Sequence, residues 1–289
     1  MDKIGKVIFS FDFEIGWGDV TNGAWLRRQN SGVYKKLRSV LPVLLDSMDS
    51  HEIPATWATV GAMIDQPSQR DFSHLTLNQL SIVREFISTA EPETFNGIDL
   101  FEKVLAASRG HTVACHSYSH IPFDFEGVDG GIVSQELTCF NRALARFNLS
   151  TDTFVFPENT EKYHSEVLAQ GYRKIRVPAA NLFQNRYLYL ATLALVPPPH
   201  CIETEMETGL VRHHGSMLFS DAGRPHRIPL LNRRVALGLK NVVKKGSTLH
   251  IWAHPFNFAE SDALLECFKA MLHELAKFRD QGSLEFRIM

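Results

Sequence analysis

Short apolar runs alternate with amphipathic helical segments along this 289-residue chain, and that alternation limits the folds it can adopt. The first run, residues 6–11, lacks polar alternation, as expected for a strand that is buried on both faces. Further runs lie at 54–60, 111–115, 153–156, 172–177 and 249–253. Apolar residues spaced three and four apart, as from Val33 to Met48 and from Ile132 to Phe147, predict intervening helices.

These repeated units predict a parallel sheet with helices outside it. Seven or eight strand–helix units favour one barrel over two domains, so we expect a single domain over residues 1–289; a doubly wound open sheet is the alternative. The stretch 178–227 is irregular apart from a possible strand near 210–213. The remaining predicted elements are helices at 76–87, 100–107, 167–169, 230–243 and 261–278 and a strand at 284–288.

Charge and cysteine content exclude several classes of protein. The formal net charge is −2 with scattered Lys and Arg, which gives no reason to expect a nucleic-acid partner. Four widely spaced cysteines predict buried, mostly reduced thiols, as in a cytosolic protein. The residues before the first strand are too few for a signal peptide, and no apolar stretch reaches the roughly 18 residues of a membrane helix. We therefore expect a cytoplasmic protein without a transmembrane segment.

Two carboxylates directly follow the first strand. Asp12 and Glu14 are separated by one residue, so they point to the same side if the strand continues through them. Close carboxylates repel each other, so the pair indicates a bound cation or a shared proton. The pattern is also consistent with an Asp12 that caps a loop and a solvated Glu14.

Histidines follow two other strands. His116 and His120 are four residues apart and can bind one metal ion if the backbone turns between them. Two histidines and one carboxylate would leave positions open for water or substrate. Because the chain has 13 histidines, two ordinary loop residues are an alternative. His254, after the strand at 249–253, fits a structural or a catalytic role.

Two further features give weaker evidence of a function. Phe156-Pro157-Glu158-Asn159 reads as a rigid turn at a strand end. Three of the four tryptophans could form a wall that stacks on a sugar, or they could simply pack in the core; these three are Trp17, Trp25 and Trp57.

Taken in order, these sites resemble the polysaccharide deacetylase family, also known as the NodB homology domain or carbohydrate esterase family 4. The likeness extends from about Val7 to Pro255. FSFDFE resembles a variant of the family's first motif, HSYSH matches its His-(Ser/Thr)-x-x-His metal motif, and WAHP is similar to its last motif. The resemblance implies a distorted (β/α)7 barrel that forms one catalytic domain.

The resemblance also implies roles for the residues. A divalent metal, usually zinc, would be held by Glu14, His116 and His120, with Asp12 as general base and His254 as general acid. The implied reaction is hydrolysis of an N-acetyl group of an amino sugar or glycan, with release of acetate. Three alternatives stay open: hydrolysis of a non-sugar or cyclic amide, a non-catalytic glycan-binding member, and a metal-independent glycosidase that uses Asp12 with another carboxylate.

The sequence departs from the family pattern at two positions. Phe13 follows Asp12 where the family has a second aspartate, which makes Glu14 the implied ligand. Glu158 stands where the family has an arginine that pairs with the base. Another arginine, such as Arg176 or Arg212, would have to replace that partner.

Overall fold

The computed structural model describes residues 4–107, 110–178 and 196–289. Within them lie ten strands: β1 Gly5–Phe13, β2 Thr56–Thr59, β3 Thr112–Cys115, β4 Thr153–Val155, β5 Lys174–Pro178, β6 Glu203–Glu205, β7 Val211–Gly215, β8 Met217–Leu218, β9 Thr248–Ala253 and β10 Leu284–Arg287. The α-helices of this part are α1 Ala24–Asn30, α2 Val33–Asp49, α3 Gly61–Ile64, α4 Leu77–Thr89, α5 Pro92–Phe95, α6 Ile98–Ala106, α7 Gly130–Ala145, α8 His164–Ala169, α9 Ile228–Lys245, α10 Pro255–Glu260 and α11 Asp262–Asp280.

The sheet is mostly parallel and curls into a barrel. Its order is β7-β5-β4-β3-β2-β1-β9-β8, with β6 antiparallel to β7 and β10 beside the start of β1. β7 pairs with β5, and β8 pairs with β9 at the other end of this order. Only Ser216 separates β7 from β8, and its N–H donates to the His250 carbonyl, so the two act as one broken strand that joins the sheet's ends. The predicted α/β barrel is therefore confirmed, and the open sheet is wrong.

The alternation of side chains along β1 explains why its sequence is apolar yet ends in a carboxylate. Phe9 and Phe11 face the outer helices, where both contact Phe268 of α11 edge-on. Residues of the opposite parity face the barrel interior, because successive side chains of a strand alternate. Interior apolar residues form a small buried cluster of Ile8, Ala58, Ala114, Val155 and Met289. Above this cluster the interior becomes polar, with Ser10, Arg176 and His250.

Most predicted elements are confirmed within a few residues. Not predicted were β6, β8 and the short helices α1, α3, α5 and α10. Part of the irregular stretch, residues 179–195, lies outside the described residues, and the possible strand near 210–213 is β7. All four cysteines are buried and free. None of the described helices is long and apolar enough to cross a membrane.

Candidate active site

The predicted site residues meet at the C-terminal ends of the strands, where parallel α/β folds assemble their sites. Asp12 lies near the end of β1, and Glu14 directly follows that strand. His116 follows β3, and His254 follows β9. A turn after β3 brings His120 back beside His116, with ring centroids 4.7 Å apart. Residues from three strands thus converge on one edge of the barrel.

Three potential ligand atoms cluster tightly. The Oε2 atom of Glu14 lies 3.2 Å from Nε2 of His116 and 3.0 Å from Nε2 of His120. The two ring nitrogens are 3.2 Å apart. Tetrahedral zinc, with bonds of about 2.0–2.1 Å, holds its ligand atoms roughly 3.3 Å from one another. The donor set, its spacing and its burial therefore fit a divalent metal ion.

The orientation of His116 suits metal binding. Its Nδ1 lies 2.9 Å from the Val155 carbonyl oxygen, which can only accept a hydrogen bond. Nδ1 therefore carries a proton, which leaves Nε2 as the ring nitrogen that can bind a metal ion. A backbone carbonyl that fixes the tautomer in this way is common behind metal-binding histidines.

The charges of the cluster reinforce one another. Burial favours neutral forms, yet the imidazoles of His254 and His120 and hydrogen bonds from the cluster hold the pKa of Glu14 well below its usual range. The Glu14 carboxylate in turn raises the pKa of His120, although burial of the ring opposes that shift. Glu14 is thus an anion, and the imidazoles of His116 and His120 beside it can bind the same metal cation.

Arg176 of β5 is the partner of Asp12. Its Nη1 and Nη2 atoms lie 2.5 Å and 2.7 Å from the two carboxylate oxygens, and both side chains are buried. Although burial disfavours the ionised carboxylate, this guanidinium and the neighbouring imidazoles lower the pKa of Asp12. Arg212, the other arginine considered from the sequence, pairs instead with Glu161.

His254 lies between the carboxylates and solvent. Its Nε2 is 3.4 Å from Oε1 of Glu14 and 3.8 Å from Oδ2 of Asp12. The ring stacks on Phe256 with centroids 5.0 Å apart, and the side chain is 21% exposed. A substrate that enters from solvent can therefore reach this imidazole.

Glu158 stands apart from the Asp12 pair. It is exposed on the predicted turn, which is a short 3-10 helix over Pro157–Asn159, and its carboxylate accepts a hydrogen bond from Thr21 at 3.1 Å. Its φ of 49° is left-handed, as are the φ values of Ile15, Ser117 and His120 at 42°, 58° and 62°. Such conformations cost energy in residues other than glycine and cluster at functional sites.

Gly18 is a site residue that the sequence did not reveal. A Cβ built at this position would lie 2.0 Å from Oε1 and 2.2 Å from Cδ of Glu14. Any larger residue would therefore displace the Glu14 carboxylate. Its position four residues after Glu14 in the run EIGWG is the only sequence signal for this role.

A cavity of about 750 Å³ opens above the cluster. The rings of Phe156, Trp252 and Phe256 line it together with Asp12, Glu14, both histidines of the cluster and His254. The tryptophans considered from the sequence do not line it; Trp17, Trp25 and Trp57 are buried in the core. The aromatic rings come instead from Trp252 and Phe256, on either side of His254, and from Phe156 directly after β4.

Comparison with solved structures places this architecture among known folds. A protein assigned as a polysaccharide deacetylase from Pseudomonas aeruginosa PAO1 has a TM-score of 0.60 at 10% identity, covering 98% of this chain and 87% of its own. A protein with the same assignment from Mycobacterium smegmatis has a TM-score of 0.58 at 16% identity, covering 100% and 94%. The chain has the polysaccharide deacetylase fold.

The polysaccharide deacetylase fold is also that of Puue allantoinase, which has a TM-score of 0.59 at 12% identity and covers 98% of this chain and 87% of its own. No protein-family model and no curated protein matches the sequence. The resemblance inferred from the motifs is thus borne out in the fold. At these identities the likeness concerns architecture, and the reaction has to be argued from the site.

Proposed function

We propose that this protein is a metal-dependent N-deacetylase that hydrolyses the acetamido group of an amino sugar or glycan. The observation that carries the proposal is the convergence of Glu14, His116 and His120 within 3.2 Å of one another, beside Asp12 and His254. Two imidazoles and one carboxylate are a ligand set typical of hydrolytic metal sites, with positions left for water and substrate.

The metal is proposed to be zinc, held by Glu14, His116 and His120. When bound, it would supply Lewis acidity to the amide carbonyl and lower the pKa of a water molecule toward about 7. Glu14 contributes one negative charge, so the site keeps a net positive charge. The proton on Nδ1 of His116 keeps its Nε2 free for the metal.

Asp12 is the proposed general base. A base must be ionised before it accepts a proton, and the Arg176 guanidinium lowers the pKa of Asp12 inside a buried site. The two-pronged contact also fixes the direction of the carboxylate. His254 is the proposed general acid for the leaving amine, and its Nε2, 3.8 Å from Asp12 and accessible from the cavity, supports that role.

The cavity supports a glycan substrate. Trp252, Phe156 and Phe256 present aromatic rings beside polar groups, and such rings can pack on the apolar faces of a sugar. Two solved structures with this fold are assigned as polysaccharide deacetylases, which agrees with this choice.

The pairing of Asp12 argues against the non-catalytic alternative. The sequence suggested a non-catalytic protein because Glu158 replaces an arginine; Arg176 fills that role from another strand. A glycosidase needs two carboxylates that flank the scissile bond. The glycosidase alternative joins Asp12 to another carboxylate and needs no metal, so inhibition by a chelator in the test below distinguishes it from the proposal.

The test measures acetate release from N-acetylated monosaccharides, oligosaccharides and nucleotide-linked sugars, with the purified protein stripped of metal and then reloaded with zinc. Allantoin and a cyclic imide belong to the same panel. We expect acetate from at least one N-acetyl sugar and loss of that activity with a chelator. Turnover of only the cyclic amides, or activity that persists without metal, would refute the proposal.

A further inference from the structure

We infer that Glu136, on α7, is a positioning residue of the metal site that fixes the turn carrying His116 and His120. The inference rests on the proposed function only in taking these two histidines as metal ligands. Glu136 is 1% exposed and lies on the same helix face as Val133, Leu137 and Phe140, all of them buried. A buried carboxylate among apolar side chains requires specific partners.

The partners of Glu136 belong to the turn between the two histidines. Its Oε2 accepts hydrogen bonds from the backbone N–H groups of Tyr118 at 3.0 Å and Ser119 at 2.8 Å. Its Oε1 accepts from the Ser119 hydroxyl at 2.7 Å and lies 2.7 Å from Nε2 of His74. Consecutive N–H groups that converge on one anion form a strong binding arrangement.

The turn depends on these contacts because it belongs to neither a helix nor a sheet. Ser117 and His120, which flank Tyr118 and Ser119, both have left-handed backbones. The carbonyls of Ser117 and Tyr118 accept from the N–H groups of Gly61 and Ala62, at 2.9 Å and 2.8 Å. Glu136 thus binds the donors of the turn, while α3 binds its acceptors.

The consequence for the metal site follows from the short distance along the chain. Tyr118 and Ser119 lie directly between the two proposed ligands, so a rotation of their peptide groups moves one imidazole relative to the other. Groups that orient metal ligands from behind typically change metal affinity about 10- to 100-fold when they are removed.

Asp65 provides a matched control. It is also a buried carboxylate, and it also binds Tyr118, but through the phenol hydroxyl at 2.8 Å rather than the backbone. Its other partners are Arg146, Arg142 and the backbone N–H of Gln66, none of which lies in the turn. Glu136→Gln and Asp65→Asn both remove one buried charge at nearly constant volume. Only Glu136→Gln changes the group that accepts hydrogen bonds from the backbone N–H groups of the turn.

The experiment is a competition titration with a chromophoric zinc chelator, carried out well below the unfolding temperature of each variant. We expect Glu136→Gln to bind zinc about 10- to 100-fold more weakly than the parent, and Asp65→Asn to stay within about threefold, even if both lose stability. Unchanged zinc affinity in Glu136→Gln, or an equal loss in Asp65→Asn, would overturn the inference.

A milder variant covers the case in which Glu136→Gln does not fold. Ser119→Ala removes only the hydroxyl contact to Oε1, and we expect zinc affinity to fall several-fold. Unchanged affinity in this variant would count against the inference.

The zinc titration needs no substrate, so it tests the role of Glu136 independently of the proposed deacetylase activity. A parent that binds zinc but releases no acetate refutes the deacetylase and leaves the role of Glu136 standing. A parent that binds no zinc refutes both.

Discussion

Arg176 binds both carboxylate oxygens of Asp12, although 164 residues separate the two in the sequence. The contact is possible because β5 and β1 face each other across the barrel interior. Arg176 also donates to the Ser10 hydroxyl at 3.0 Å and lies over the Trp252 ring at 4.8 Å. The guanidinium is therefore held on several sides, and it holds Asp12 in one orientation.

Replacement of Arg176 by lysine is expected to lower kcat about a hundredfold. Lysine keeps the charge but cannot bind two oxygens at once, so Asp12 would shift relative to the substrate. Steady-state kinetics on the best N-acetyl substrate measures the effect. The control is Arg212→Lys, because Arg212 pairs with Glu161 in a more exposed position and should change kcat little. Equal kcat values for both variants would contradict the role given to Arg176.

Asp12 and His116 should separate catalysis from metal binding. Asp12→Asn removes the base but leaves all three proposed ligands, so we expect zinc content to stay at the parent level while kcat falls about 10²- to 10⁴-fold. His116→Ala removes a ligand and should lose both zinc and activity. Metal analysis of each purified variant, beside kinetics, checks the pair. Retention of zinc and activity in His116→Ala would show that the ligand assignment is wrong.

Most of the fold could be predicted because strands that are buried on both faces read as apolar runs. β1 and β9 were predicted on that basis, and the strand-end position of Asp12 and His254 followed. The short β8 could not be predicted, since two residues carry no periodicity. The expectation of one domain over residues 1–289 stays a prediction.

The site could be predicted only where its residues form a local motif. His116 and His120 are four residues apart, so their proximity could be inferred from spacing. The Arg176–Asp12 contact depends on strand order, which no local pattern encodes. Glu136 left one usable signal: it lies three residues after Val133 and four before Phe140, on an otherwise apolar helix face.

Gly18→Ala is expected to weaken zinc binding at least tenfold. The added methyl group would lie 2.0 Å from Oε1 of Glu14, so the carboxylate would have to rotate out of the cluster. A chelator competition titration measures the loss. Gly131→Ala on α7 is a suitable control, because its nearest contact is the Asp129 side chain at 3.2 Å. Parent-like zinc affinity in Gly18→Ala would mean that the Glu14 carboxylate is not needed where it lies.

The stability of the protein should fall as pH rises from about 6.5 to about 9, through His74. Burial favours the neutral ring, but hydrogen bonds to Cys139 and Glu136 raise the pKa of His74 to about 9. A group whose pKa is higher in the folded state stabilises fully below its unfolded pKa of about 6.5, and this contribution disappears as the pH passes 9.

Urea unfolding at several pH values measures this effect, which should be on the order of 3 kcal/mol. The His74→Gln variant lacks the titrating group, so its free energy of unfolding should depend less steeply on pH in this range. Identical slopes for the variant and the parent would rule His74 out as the cause.

The polar layer of the barrel interior also determines how substrate and products can enter and leave the cavity. Ser10, Arg176 and His250 are buried directly below Asp12, and the cluster of Ile8, Ala58, Ala114, Val155 and Met289 lies beneath them. Among the residues that the structure describes, these two layers therefore close the cavity at its lower end. For the proposed reaction, the substrate would therefore enter and both products would leave through the same opening, beside His254.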